Sequence, residues 1–479
     1  MNLAQNITQK VQPLRRDHPI NKEIILINAL FQQQREYFTR GHTLDLSFRM
    51  SQLRKLRVAI DKNRERILEA LREDLKKPPF EAYASEIALI NREINYTLKH
   101  LKKWMRGRRE GTPLFLRPSS SRILPEPYGV TLIIGPWNYP FQLTLLPLVG
   151  ALAAGNTAII KPSELTARSE QVIHDILSET FDRSHVAVIQ GGVETTRALL
   201  EHPFDYIFFT GSTEVGRVVM EAAARNLVPV TLELGGKSPV IVDRDASVDL
   251  AARRIAWGKF LNAGQTCIAP DYVLAHRDIK KDLIERIRHY IREFYGENPK
   301  ASPDYARIVN ERHFHRLIRL IKSGKRITGG QTDEKQLYIA PTVFDEITPN
   351  HPIMKEEIFG PLLPVMEFGT LEEALEIIRG FPKPLALYIF SGKKETAERV
   401  IRETSSGGVV INDVVLHVSN HHLPFGGVGE SGMGAYHGKS SFIAFSHQKS
   451  VMTGSRFFDN SLRYPPYRRS VGILRRLLG

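Results

Sequence analysis

Apolar positions along the first hundred residues recur at helical spacing. Leu53, Leu56, Ile60, Ile67 and Leu71 fall on one face, with Arg and Glu between them, and such three- and four-residue steps predict amphipathic helices. Residues 113–127, which contain Pro and Ser, break the pattern and predict an extended or crossing segment. Beyond it the runs shorten and become β-branched, each closed by a Gly, Pro or polar turn. Val130-Thr131-Leu132-Ile133-Ile134 leads into Gly135-Pro136-Trp137-Asn138-Tyr139-Pro140, and Thr157-Ala158-Ile159-Ile160 into Lys161-Pro162-Ser163-Glu164. Val186-Ala187-Val188-Ile189 leads into Gly191-Gly192, and Tyr206-Ile207-Phe208-Phe209 into Thr210-Gly211-Ser212-Thr213-Glu214-Val215-Gly216. Val230-Thr231-Leu232-Glu233 leads into Leu234-Gly235-Gly236-Lys237.

Helical stretches such as 217–225 separate these runs. Alternating strand, loop and helix predicts a parallel sheet covered on both faces. Ligands of such sheets bind beyond the carboxyl ends of the strands, so the five loops should share one crevice. Further strand candidates lie at 272–275, 362–368, 385–390 and 408–411, with helices between them. The fold class expected is α/β: a Rossmann-like parallel-sheet domain and a second α/β domain, to which the family resemblance carried by the motifs below adds a small β bridging element. The division expected puts 1–106 and 125–233 in the first domain, 234–430 in the second, 107–124 and 431–455 in bridging segments, and 456–479 in a basic tail. Gly235-Gly236 would form a hinge-like turn between the two domains.

Composition narrows the class. A chain of 479 residues exceeds one ordinary core, and no apolar run approaches the ~18 residues of a membrane span. Lys10, Arg15 and Arg16 are followed by no apolar export segment. A single cysteine excludes an intramolecular disulfide and fits a reducing compartment, so a cytoplasmic protein is expected. The net charge of +14 comes without a nucleic-acid-binding motif, so no nucleic acid partner is expected. One basic cluster runs Lys99, His100, Lys102, Lys103, Arg106, Arg108, Arg109. In the tail, Arg468-Arg469 and Arg475-Arg476 flank Ile473-Leu474 and Leu477-Leu478, the composition of a short amphipathic contact with a membrane surface.

Taken alone, Cys267 is ambiguous, because a lone cysteine usually serves as a small buried hydrophobe. Its setting, Asn262-Ala263-Gly264-Gln265-Thr266-Cys267-Ile268-Ala269-Pro270, is a loop of small and polar residues that can expose a thiol. The thiolate is the nucleophile, so such a cysteine needs a base or a positive local field. Gly211, Ser212 and Gly216 lie between a strand and a helix, where backbone donors can meet a pyrophosphate; an ordinary βα turn looks the same. Lys161 and Glu164 can hold ribose hydroxyls, or they can be a solvated pair on the first turn of a helix.

Five segments together, in order and spacing, resemble the aldehyde dehydrogenase superfamily. They are residues 135–140, 209–216, Leu232-Glu233-Leu234-Gly235-Gly236-Lys237, Gly264-Gln265-Thr266-Cys267 and Glu356-Glu357-Ile358-Phe359-Gly360-Pro361. The likeness runs from about residue 24 to 467 and is greatest to the class 3 branch, which acts on fatty and aromatic aldehydes. It includes Pro424-Phe425-Gly426-Gly427-Val428-Gly429 and Ser431-Gly432-Met433-Gly434.

That resemblance implies oxidation of aldehydes to carboxylic acids with NAD and/or NADP. Cys267 would form a thiohemiacetal and then a thioester, with the oxyanion held by the Asn138 amide and the Cys267 backbone N–H. Glu233 would be the general base, with Glu357 as the alternative; Glu357 would otherwise hold the nicotinamide ribose, with Phe359 near the ring. Gly211, Ser212 and Gly216 would meet the pyrophosphate, and Lys161 and Glu164 the adenosine ribose, where Glu164 disfavours a 2′-phosphate. Tyr139, Trp257 and Phe425 would line an apolar substrate channel, with Val415 and Val418 near its mouth. Medium- or long-chain aliphatic, aromatic or isoprenoid aldehydes suit such a channel. No metal is expected, and a homodimer is. Class 3 relatives include membrane-tethered forms, so surface attachment through the tail is a second expectation. Two competing readings are an acylating, coenzyme A-dependent relative and a non-catalytic NAD-binding structural protein.

Overall fold

The computed structural model describes residues 19–459, 463–466 and 471–472. Described residues up to Met105 are helical: Pro19–Thr39, Leu46–Lys62, Arg64–Leu75, Pro79–Ala82, a π-helical turn Tyr83–Ile87, and Ala88–Met105. The apolar stripe read from the sequence is their inner face, with Leu53, Leu56, Ile60, Ile67 and Leu71 all buried. It belongs to two helices, because the chain turns at Asn63.

Two large sheets follow. The first uses Val130–Ile134 (β1), Thr157–Lys161 (β2), Val186–Val188 (β3), Tyr206–Thr210 (β4) and Val230–Glu233 (β5), all mutually parallel. The second uses Pro239–Val242 (β6), Tyr272–His276 (β7), Lys325–Thr328 (β8), Thr342–Asp345 (β9), Leu362–Phe368 (β10), Ala386–Phe390 (β11) and Gly408–Ile411 (β12). Gly432–Met433 (β13) returns to the first sheet, antiparallel to β5, with Gly432 opposite Glu233. The strand orders are β13-β5-β4-β1-β2-β3 and β8-β9-β10-β7-β6-β11-β12. In the second sheet only β8 runs antiparallel. β1, β2 and β4 are buried along their whole length, so they read as continuous apolar runs and not as alternation.

A third sheet of three antiparallel strands joins Arg108–Glu110, Ser120–Pro127 and Ser446–Thr453. Its middle strand therefore extends past residue 124 to Pro127, because Ser446 pairs with Pro127 at its far end. Of the 431–455 segment, only Ser446–Thr453 enters this sheet. Gly432 and Met433 go elsewhere because glycine lets them lie directly on β5: a Cβ on Gly432, at φ +139°, would stand 2.1 Å from the Leu232 carbonyl oxygen.

The strand order of the first sheet reverses at β1, between β4 and β2. That switch point opens a crevice beyond the carboxyl ends of the strands. The helix Gln142–Ala154 starts just after the β1 loop, and all thirteen of its residues are buried. A helix that is apolar all round belongs inside a core, and this one anchors the loop ahead of it.

Among the described residues no helix is long and apolar enough to cross a membrane. The tail residues behind the surface-contact expectation, Arg468, Arg469, Ile473, Leu474, Arg475, Arg476, Leu477 and Leu478, lie outside the described residues.

Candidate active site

Strand ends of the first sheet supply one wall. Asn138 and Tyr139 follow β1, Lys161 ends β2, Gly211 and Ser212 follow β4, and Glu233 ends β5. The second sheet supplies the other wall from its entry side: Cys267 lies five residues before β7 begins, and Glu357 five before β10.

The cysteine loop is strained. Asn262, Ala263 and Gly264 all have positive φ, at 50°, 52° and 77°, a conformation that costs a non-glycine residue about 1–3 kcal/mol. Asn262 offsets the cost through its amide, which donates to the Asn138 carbonyl at 2.9 Å and the Gln265 carbonyl at 3.2 Å. Gly264 allows a close approach to the 356–361 segment, where a Cβ would lie 2.3 Å from the Gly360 oxygen. The loop thereby leaves Cys267 partly accessible among buried neighbours.

Hydrogen bonds join the walls. The Asn138 amide donates to the Gln265 carbonyl at 3.0 Å, and the Tyr139 hydroxyl pairs with Thr266 Oγ1 at 2.8 Å. One of the two Asn138 N–H groups is so engaged, which leaves the second without a side-chain or backbone partner among the described residues. Burial raises the Cys267 thiol well above its ordinary pKa, with the Glu357 and Glu233 carboxylates adding to the effect. Both carboxylates thus act electrostatically on the sulfur.

The two carboxylates differ. Burial pushes Glu233 well above the usual carboxylate range, and neither of its oxygens has a hydrogen-bond partner. Glu357 is pushed up to about 8, by burial and then by Asp271, against a bond from the Gly236 N–H. It lies on the backbone of Gly235, where a Cβ would be 1.9 Å from its Oε2. The two glycines therefore have separate reasons: Gly235 admits the carboxylate, and Gly236, at φ +146°, makes the turn toward β6. Lys237 pairs with Asp271 at 2.5 Å and donates to the Ile353 and Glu356 carbonyls, and Asp271 accepts from the Ile358 N–H. This buried knot fixes the segment that carries Glu357. Phe359, at φ 47°, sets its ring edge against Trp137, 5.3 Å away.

The remaining sites line the same strand ends. Lys161 is buried as the last residue of β2, bonded to the Pro162 carbonyl and 3.4 Å from Glu164. The pair is not on a helix turn; the next helix begins only at Ala167. Ser212 caps the helix Thr213–Arg225, accepting from the Val215 N–H at 3.3 Å. Gly211 donates to the Glu233 carbonyl at 3.0 Å, and a Cβ on Gly216 would meet Leu234 at 2.6 Å. Gly216 thus serves close helix packing, with Gly211 tied to the catalytic strand end. The donor set fits a dinucleotide: a capped helix start for pyrophosphate, an ammonium and two carboxylates for ribose hydroxyls, and the orphaned buried oxygens of Glu233 and Thr210 beside them. Among the described residues no group of His, Cys, Asp and Glu could hold a metal ion.

Trp257 and Val418 pack, half-buried, on the apolar core that also holds Cys267. Val415 adopts φ 63° and would touch a side chain at Gly258. Phe425 pairs through its backbone with Tyr436 and stacks on His437 at 5.3 Å. Four residues escaped sequence reasoning. Tyr436 is buried with an unpartnered hydroxyl and is electrostatically coupled to Glu233 and Cys267. Thr266 stood beside the cysteine and offered a signal through its hydroxyl. Lys77 and Glu86 offered none, since charged residues on a helical stretch read as solvent-facing.

The aldehyde dehydrogenase family model matches residues 25–451. The chain belongs to the aldehyde dehydrogenase family. A 4,4′-diaponeurosporen-aldehyde dehydrogenase of Staphylococcus aureus (strain NCTC 8325 / PS 47) is 51% identical over 92% of this chain and 97% of its own length. Aldehyde dehydrogenase family 3 member A2 of Rattus norvegicus is 49% identical over 91% of this chain and 90% of its own. A solved structure described as the substrate-bound state of Staphylococcus aureus AldH superposes with a TM-score of 0.93 at 50% identity, covering 95% of this chain and 99% of that one. The enzyme is an aldehyde dehydrogenase of class 3 type, oxidising aldehydes with NAD or NADP.

Proposed function

We propose that this aldehyde dehydrogenase works through a covalent Cys267 intermediate, with Asn138 as oxyanion donor and Glu233 as the base that admits water. The observation that carries this reading is a partly accessible sulfur coupled to a buried carboxylate with no partner of its own. A structural carboxylate at that depth would be paired.

Cys267 first gives up its proton to solvent and attacks the aldehyde carbon as the thiolate, and the carbonyl oxygen becomes an oxyanion. The free Asn138 N–H and the Cys267 backbone N–H receive it; one such donor contributes about 10²–10³ in rate. Bound NAD or NADP, in its oxidised form, supplies the acceptor for the hydride that leaves this carbon. The thioester left on Cys267 is cleaved by water: Glu233 takes the proton, oxygen bonds to the acyl carbon, and the sulfur departs as thiolate. Glu357 is held on Gly235 and Gly236, and binding a ribose hydroxyl is its role; it is the second choice as base. Ser212 and the start of the helix it caps would receive the pyrophosphate, with Gly211 and Gly216 shaping that turn, and Lys161 with Glu164 would hold the adenosine ribose, where the Glu164 charge disfavours a 2′-phosphate.

The substrate is a medium- or long-chain aliphatic, aromatic or isoprenoid aldehyde, admitted past Tyr139, Trp257, Phe425, Val415 and Val418. The name of the Staphylococcus aureus relative supports this reading. Two copies pair through the three-stranded sheet and the helix Thr213–Arg225, whose Val215, Val218 and Met220 are exposed; a solution mass of one chain would contradict this.

The deciding experiment is Cys267→Ala. NADH formation from octanal should fall at least about 10³-fold while NADH binding persists, and an undiminished rate would overturn the reading. Acid as product, without coenzyme A, separates hydrolysis from acyl transfer.

A further inference from the structure

Lys77 is one of several charges among the described residues that burial makes conspicuous, with Lys161, Lys237 and Lys259. Its side chain and that of Glu86 are both fully buried, with Nζ 2.5 Å from Glu86 Oε1. Lysine is almost never buried to that depth, and such a pair is often less stabilising than apolar side chains of the same volume. Stability alone therefore does not explain it.

Its bonds all end on one short segment. Lys77 Nζ donates to the Asn138 carbonyl at 3.0 Å and sits 4.0 Å above the Tyr139 ring. Glu86 Oε2 accepts from the Phe141 N–H at 3.1 Å and the Gln142 N–H at 3.0 Å. Glu86 itself lies on the π-helical turn Tyr83–Ile87, a local irregularity often found where a side chain is re-aimed for function. Residues 138–142 are thus gripped at one carbonyl and two amides, and the Asn262 amide holds the same carbonyl from the cysteine loop.

We infer that Lys77 and Glu86 are positioning residues for the oxyanion site. They fix the backbone of Asn138 so that its second amide N–H faces the oxygen of a substrate bound to Cys267. The inference rests on Asn138 being the oxyanion donor. Catalysis is sensitive here because a displacement of about 1 Å at a reacting group can cost ~10²-fold. Lys77 touches neither substrate nor sulfur; it acts on the chemistry through the position of Asn138, with the Tyr139 ring as its other neighbour.

A double-mutant cycle on the full-length enzyme tests this. Asn138→Ala alone should lower kcat with octanal about 10²–10³-fold; an unchanged kcat would defeat the reading of Asn138 itself. Lys77→Met should lower kcat about 10–100-fold. The KM for octanal, NADH binding and the rate of Cys267 alkylation by iodoacetamide should stay within about threefold, since neither binding nor the thiol depends on the Asn138 amide. In the Asn138→Ala background the same substitution should cost less than about twofold, because its route of action is already gone. If Lys77→Met does not fold, Lys77→Met/Glu86→Gln removes both charges together, and the same losses are expected. A folded variant that keeps kcat within twofold overturns the inference. So does an equal loss in both backgrounds, and so does failure of both variants to fold, which would make the pair structural.

Discussion

Two buried carboxylates are treated in opposite ways. Glu86 has both oxygens occupied, by the Lys77 ammonium and two backbone N–H groups. Glu233 is as deeply buried and has neither oxygen occupied. The first is a strut, the second the proposed base. On the far wall, Lys237 and Asp271 form a second strut that holds the Glu357 segment. Charges that are fully bonded build the two walls, and Glu233, unbonded, is left for the proposed chemistry between them; the buried Lys259 ammonium is also without a partner among the described residues.

Removing the reactive carboxylate should have the largest effect on rate and little effect on stability. Glu233→Gln should slow turnover about 10²–10⁴-fold at an unchanged or higher Tm, because no bond is lost; a large fall in Tm would erase the distinction. The wild-type rate should climb with pH through and above neutrality. Burial raises the Glu233 pKa, so the base form gains as pH rises. In Glu233→Gln, the part of this climb that belongs to thioester hydrolysis should disappear, measured by steady-state kcat from pH 6 to 9.

Breaking a strut should do the reverse. Lys237→Met leaves Asp271 unpaired, and a buried charge stranded in this way costs about 3–5 kcal/mol. Urea unfolding should show that loss, and Lys237→Met/Asp271→Asn should recover part of it.

Glu93 sharpens the comparison from between the extremes, with the smallest effect. It is buried, accepts one bond from the Gly438 N–H at 2.6 Å, and is pushed by burial up to about 7. Between the ordinary glutamate value of about 4.3 and that raised value, the folded state holds a proton that the unfolded state releases. Glu93 should therefore make stability fall with rising pH across this window, contributing at most about 1.4 kcal/mol per pH unit beside the other raised carboxylates. Glu93→Gln should remove that slope; parallel stability curves for the two proteins would refute it.

Much of the architecture was legible beforehand because parallel strands buried on both faces leave continuous apolar runs. The limits of β1, β5, β10 and β12 agree with the runs read from the sequence. The strands Pro239–Val242, Lys325–Thr328 and Thr342–Asp345 were not read, the last two because they are short and mixed in composition. The motif residues could be picked out through spacing, and Cys267 through being alone. Lys77, Glu86 and Tyr436 could not, because a residue's chemistry looks the same whether it faces water or a core.

Local order alone determined the helical start, the alternating strand and helix units, and the glycine-punctuated loops, since periodicity and turn chemistry act between near neighbours. Tertiary structure decided which ends of the two sheets meet. Cys267 and Glu357 arrive from the entry side of one sheet to face Asn138 and Glu233 at the exit side of the other. It also decided which buried charges find partners. Both outcomes depend on contacts between separate segments, such as Asn138 with Gln265 and Glu86 with Phe141, and short-range patterns carry no record of them.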